Sequence, residues 1–261
     1  MYALFFHAHQ KLDKVAYRHL QKIIKKDDFF PSLDLIINFD GPNGPDSSKL
    51  KRQLNVEQPW HFINPKDSKD TRLKKEIDFH YKQLIISLKE KDEVRSAFQA
   101  AWLAHALVDG LTPAHHYPYE KELEKLRGDT RHSRKGLIGR AFIKGETVGQ
   151  SVAKSLKLIG PKGLLTTHTM FEAGAYFVIL PLRLNRALPN PDEIARITNI
   201  GITNMFNQMV SEVVSLELYT RFYLSGWTIG LSQDVRTQLA PRMAKIITLA
   251  WLAAINDAVS T

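Results

Sequence analysis

The chain contains no cysteine. Disulfides and thiolate metal ligands are therefore excluded, and any metal must rest on histidine, carboxylate or backbone oxygen. No run approaches the roughly 20 apolar residues of a membrane-spanning helix. The longest candidate, Ala173–Leu182, runs into Pro181. The start, MYALFFHAHQKLDK, lacks a basic leader region and its apolar run stops at Phe6, so a cytoplasmic location is expected. Stretches that alternate with period two are few, and none is bounded as a hairpin. Internal repeats, low-complexity tracts and a linker long enough to divide domains are also missing.

What remains is a chain of 261 residues, 44% hydrophobic and 24% charged, which can bury a sizeable core without covalent staples. Its net charge of +9 favours anionic partners: nucleic acid, anionic headgroups or phosphate esters. Helical periodicity dominates. Leu12, Val15, Ala16, Leu20, Ile23 and Ile24 share one side of a helix over Gln10–Lys25. Leu73, Ile77, Tyr81, Leu84, Ile85 and Leu88 do the same over Lys69–Lys89. Further helices are predicted at Glu93–Asp109, Tyr117–Arg127, Lys135–Leu158, Leu164–Val178, Pro191–Leu224 and Pro241–Val259. Asp40–Ser48 (DGPNGPDSS) is turn chemistry. The expected architecture is all-α, one multi-helix domain over residues 1–261.

Between Arg95 and Glu120 the only readily ionised side chains are His105, Asp109, His115 and His116, in the segment HALVDGLTPAHH. The helix around them is apolar on every side, hence buried, and a buried charge must be paired or ligate a metal. His105 and Asp109 stand four apart, on one face. Gly110 can end the helix, and Pro113 can turn the chain so that His115 returns to the same pocket. An isolated HxxxD is more often an internal hydrogen bond. Here other pieces accompany it: His168 and Glu172 at the same spacing, His61 between Trp60 and Phe62, His9 leading into the first helix, and Asp46 fifteen residues before His61. Asp40, in the same turn segment, competes with Asp46. About five histidines and three carboxylates, with no cysteine, are the inventory of a two- or three-metal hydrolytic site.

The order His9, Asp46, His61, His105-x3-Asp109-x5-His115, His168-x3-Glu172 resembles the zinc-dependent phospholipase C family of bacteria, whose superfamily includes the fungal single-strand-specific zinc nucleases. HALVDGLTPAH matches the most specific signature of that superfamily, and LAWLAAIND resembles its closing helix. The resemblance implies an all-helical fold and a zinc cluster. One zinc would take Asp46, His61, His105 and Asp109. Asp109 would bridge to a second, shared with His9 and the N-terminal residue, and a third would take His115, His168 and Glu172. The family begins with a tryptophan whose amine binds metal. This chain begins Met1-Tyr2, so His7 replaces that ligand or the site holds two ions.

The implied activity is phosphodiester hydrolysis by metal-activated water, with Asp46 doubling as ligand and catalytic proton acceptor. A phospholipid headgroup is the first expected substrate and single-stranded nucleic acid the second. Trp60, Phe62, Tyr117 and Tyr119 could stack bases or line a lipid pocket. The ending HxxxE is similar to the phospholipase branch, whereas the nucleases commonly end HxxxD. A third reading is a non-catalytic helical module that zinc stabilises and that binds a partner. The basic stretch Arg127–Arg140 (RGDTRHSRKGLIGR) offers a peripheral contact for an anionic membrane, or is simply a solvated face.

Overall fold

The computed structural model describes residues 6–46, 60–128 and 147–260. Most of the basic stretch Arg127–Arg140, the N-terminal part of the helix expected at Lys135–Leu158, and Met1 lie outside the described residues. Among those described, every regular element is helical, as the periodicity predicts.

The elements are α1 (Phe6–Leu20), α2 (Leu33–Asp40), α3 (Arg72–Lys89), α4 (Glu93–Leu111), a 3-10 turn at Pro113–His116, α5 (Tyr119–Arg127), α6 (Val148–Ile159) and α7 (Leu164–Ile179). After a second 3-10 turn at Asn185–Ala187 come α8 (Pro191–Ser215), α9 (Leu218–Ser225), α10 (Ile229–Asp234) and α11 (Ala240–Ser260). Two helices make the centre. Helix α4 is buried on all sides from Ala97 to Leu111 apart from Phe98 and Trp102, with α2 and α3 packed against it. Its alanines at 97, 100, 101 and 104 let neighbours approach closely. The fully buried Trp251 of α11 uses this, and its indole Nε1 donates to the Ala100 carbonyl at 3.1 Å. Helix α1 and α3 flank α11.

Several boundaries differ from expectation for local reasons. Residues 33–40 form α2, a short helix with Ile36 fully buried, that was not anticipated. The expected helix Pro191–Leu224 is interrupted twice, by a kink at Gly201, whose φ of 76° and ψ of 164° are not helical, and by a break at Glu217, whose φ of 50° is left-handed. It starts at Asn190, whose side chain and that of Glu193 form a reciprocal capping box. The last helix begins well before Pro241. Residues Ile229–Ser260 run on continuously through a π turn at Val235–Leu239, which accommodates a ring that has no N–H. By length and composition this 32-residue helix could cross a membrane, although 67% of its most apolar window is buried in the fold. Gly110 does not end α4. The helix continues to Leu111 and stops before Pro113. The glycine is needed for packing: a Cβ there would stand 2.3 Å from the Phe206 ring of α8.

Candidate metal centre

Three helices, a 3-10 turn, the turn after α2 and an extended segment bring the polar residues together. Helix α4 supplies His105 and Asp109, and its N-terminus is capped by Asp92, which accepts from the Arg95 N–H. The 3-10 turn opens at Pro113 and swings His115 back beneath α4, with the His115 N–H bonded to the Thr112 carbonyl at 2.9 Å. The His115 carbonyl in turn accepts from the Ile63 N–H at 3.1 Å, which ties the His61 segment to the same place. That segment is further pinned by Glu76, which accepts from the Trp60 N–H, and by the Arg72 guanidinium 3.3 Å over the Trp60 ring. Helix α7 supplies His168 and Glu172, α1 supplies His9, and the turn after α2 carries Asp46.

All eight residues singled out from sequence converge. They form three groups whose ligand atoms lie within 4.8 Å of one another: His9, His105 and Asp109; Asp46, His61 and His105; His115, His168 and Glu172. Asp109 is the hub. Its Oδ2 lies 2.6 Å from His61 Nδ1 and 3.3 Å from His105 Nε2, and its Oδ1 lies 3.3 Å from His115 Nδ1 and 3.6 Å from His9 Nε2. Asp46 faces His61 at 4.0 Å and His105 at 3.8 Å. Glu172 closes the far corner, 2.8 Å from His115 Nε2 and 3.0 Å from His168 Nε2. The His115 and His168 rings stack at 5.2 Å, and His9 stacks on His105 at 4.1 Å.

Asp40 takes a different part from the one considered for it. It accepts from His105 Nδ1 at 3.0 Å, which leaves Nε2 turned toward Asp109 and Asp46. A carboxylate behind a histidine in this way fixes the ring and its tautomer. His116 is outside the groups; its Nε2 bonds to the Gly110 carbonyl at 2.8 Å. Asp13 was missed. It is a lone acid on the apolar face of α1, one turn beyond His9, and only 1% exposed. A carboxylate among Leu12, Val15 and Ala16 was the available signal. The side chains of His7 and Tyr119 lie outside the described residues.

The cluster is strongly polarised. Burial acts against charge on Asp109, yet His105, His115 and His61 outweigh it and hold its carboxyl well below the usual range. Burial likewise opposes charge on Glu172, and His168 and His115 bring it down to about 2. In return, Asp109 and Glu172 overcome burial to raise His115 to about 10, and Asp109 and Asp40 lift His105 well above its ordinary value. Burial and the neighbouring His105 lower His9. His9 Nδ1, His105 Nε2 and His115 Nδ1 are buried without a well-formed hydrogen bond, an arrangement costly for a purely structural cluster. Two ligand atoms on one tetrahedral ion with bonds of ~2.1 Å stand roughly 3.4 Å apart. The separations of 3.3 to 3.6 Å from Asp109 to His105, His115 and His9, and of 3.8 and 4.0 Å from Asp46 to His105 and His61, surround that value, whereas His61 at 2.6 Å from Asp109 and Glu172 at 2.8 and 3.0 Å from His115 and His168 stand at hydrogen-bond distance. The groups could therefore hold metal ions. No protein-family model, curated protein or solved structure matches this chain.

Proposed function

We propose that the protein is a zinc-dependent phosphodiester hydrolase, similar in order of ligands to the phospholipases C. The observation that carries this reading is the hub at Asp109, where one buried carboxylate meets four imidazoles. Histidine and carboxylate donors without sulfur suit zinc in a hydrolytic rather than a structural site. Bound zinc would supply a water ionisable near pH 7 and positive charge for the phosphate oxygens.

The protein's own groups divide the remaining tasks. Asp109 and His105 are almost fully enclosed and His61 is half-buried, and together they would hold the centre. Asp46 is the more open carboxylate, with 27% of its side chain exposed, and is placed to accept a proton from an entering water. Phe62 lies against His115 and His168, with ring centroids 5.1 and 6.0 Å away, and shields that corner from water.

The order of ligands ends His168-x3-Glu172, which is similar to the phospholipase branch rather than to the nucleases, so a phospholipid headgroup is the first expected substrate.

Elemental analysis of purified protein should give two or three zinc per chain. With zinc present, a chromogenic phosphocholine ester should be cleaved faster than single-stranded DNA or RNA. Metal-free protein, with wild-type stability retained in His105→Ala and Asp109→Ala, would overturn the metal reading. Zinc without activity on any of these substrates would favour a non-catalytic module.

A further inference from the structure

From Phe222 to Gln233, across the turn that joins α9 to α10, the chain carries no charged side chain. Its apolar residues are nevertheless turned outward. Leu224 is 69% exposed and Ile229 89%, on either side of Gly226, whose φ of 68° is left-handed. The turn is firmly anchored. The Trp227 indole fills the space beside Gly174 of α7, where a Cβ would stand 2.0 Å from the ring. It donates its N–H to the Met170 carbonyl at 3.2 Å and lies 5.6 Å from the rings of Phe171 and Phe222. Thr228 caps α10 by accepting from the Leu231 N–H at 3.1 Å. The patch continues onto α7, where Met170, Gly174 and Phe177 share one face. The exposed Met170 and Phe177 therefore flank the Trp227 contact. Tyr223, also exposed, carries Lys162 5.5 Å over its ring.

The charges around this patch are of one sign. Residues 148–183, which include α6 and α7, hold Lys154, Lys157, Lys162 and Arg183 against a single acid, Glu172. That acid is engaged by His115 and His168. On α9 and α10, Arg221 and Asp234 pair with each other at 2.7 Å. We propose that this surface docks on an anionic lipid bilayer, with Leu224 and Ile229 entering below the headgroups and the lysines meeting the lipid anions. Tyrosine and tryptophan suit the boundary between headgroup and hydrocarbon, and an apolar face with cationic flanks is the pattern of interfacial segments. A second copy of the chain, itself at +9, would bring like charges together on the same patch. His168 and Glu172 project from the opposite side of α7 to Met170 and Gly174. The surface is thus an anchor and not an entrance to the centre, and it does not rest on the zinc reading.

The test is co-sedimentation of the full chain with vesicles of equal parts phosphatidylcholine and phosphatidylserine, against phosphatidylcholine alone. It is run on the protein as purified and again with chelator, so that failure of the zinc reading leaves it intact. The mixed vesicles should bind about tenfold more tightly, and less so as salt is raised. The double variant Leu224→Ser/Ile229→Ser should lose about tenfold or more, and Lys162→Gln about fivefold. Val94→Ser, a change at an exposed valine of α4, should bind as wild type. Circular dichroism checks that each variant keeps its helices. Because the chain has no cysteine, Ile229→Cys accepts a single polarity-sensitive dye. Its emission should shift to the blue on mixed vesicles, whereas the same dye at Val94→Cys should not respond. Failure to bind the mixed vesicles would overturn the proposal, as would wild-type affinity in the double serine variant or an unshifted dye at residue 229. So would a dimer in light scattering that Leu224→Ser/Ile229→Ser dissociates, which would assign the patch to a second copy.

Discussion

Loading the centre with zinc should expel protons, and the structure fixes roughly how many. In the metal-free protein both nitrogens of His115 face carboxylates, Asp109 at 3.3 Å and Glu172 at 2.8 Å. Both nitrogens of His105 do so as well, toward Asp40 at 3.0 Å and Asp109 at 3.3 Å. With His115 raised to about 10 and His105 also well above its ordinary value, each ring carries two protons at pH 7. A ligating nitrogen must be bare, so each ring gives up one proton, about two per chain. Stripping His115 alone at pH 7 costs ~4 kcal/mol, from three pH units at 1.36 kcal/mol each. Overall zinc affinity should therefore climb about 100-fold per pH unit near neutrality. The metal-free fold behaves oppositely. The raised His115 stabilises it fully below pH 6.5, and that contribution is lost as pH rises toward 10. Titration calorimetry in buffers of different ionisation enthalpy, repeated from pH 6 to 8, measures both proton number and slope. Zinc binding with a flat affinity and a heat independent of buffer would refute this account of the charges.

Other consequences are simpler to test. Trp251→Ala empties the centre of the core and should cost about 3–5 kcal/mol in urea unfolding. Gly110→Ala drives a methyl group into the Phe206 ring and should destabilise by about 1–3 kcal/mol, with part recovered by Phe206→Leu. His116 is buried and held neutral, its pKa pushed down to about 4 by burial and the His115 charge. As pH falls from 6.5 toward 4 the unfolded chain gains a proton there that the folded one resists, so stability should drop by up to ~3 kcal/mol. His116→Asn should remove that share of the acid sensitivity, read as the difference between variant and wild-type unfolding midpoints at pH 4.5 and 7.

What was legible in the sequence was local. His105 with Asp109, and His168 with Glu172, are read from a spacing of four on a helix, and Pro113 between α4 and His115 signals the returning turn. What was hidden depends on contacts between distant segments. Asp40 and Asp46 carry the same chemistry in one turn segment, and only the packing of α2 against α4 gives Asp40 to His105 Nδ1 and leaves Asp46 at the opening. Gly110 has the composition of a helix end, yet Phe206, ninety-six residues later, explains it as a point of close packing. The break at Glu217 had no glycine or proline to announce it, because the left-handed residue there is a glutamate.

The two oxygens of Asp109 explain why the three groups cannot act independently. Oδ2 serves His61 and His105, beside Asp46, while Oδ1 serves His9 and His115. Asp109 would help hold metal with His9 and His105, and it also touches His61 and His115, so it belongs to more than one part of the site. His115 then couples the third group to Asp109. Its Nε2 belongs with Glu172, and its Nδ1 is free to donate to Asp109 Oδ1. A proton on Nδ1 would be donated to Asp109 and would leave Nε2 to the group it forms with His168 and Glu172, so the tautomer of one histidine would connect both ends of the site. Asp109→Asn would preserve the shape of the side chain but replace one oxygen by an amide that can only donate. The pair of histidines on that side would lose its acceptor, and the disturbance would reach Glu172 through His115, although Glu172 does not touch residue 109.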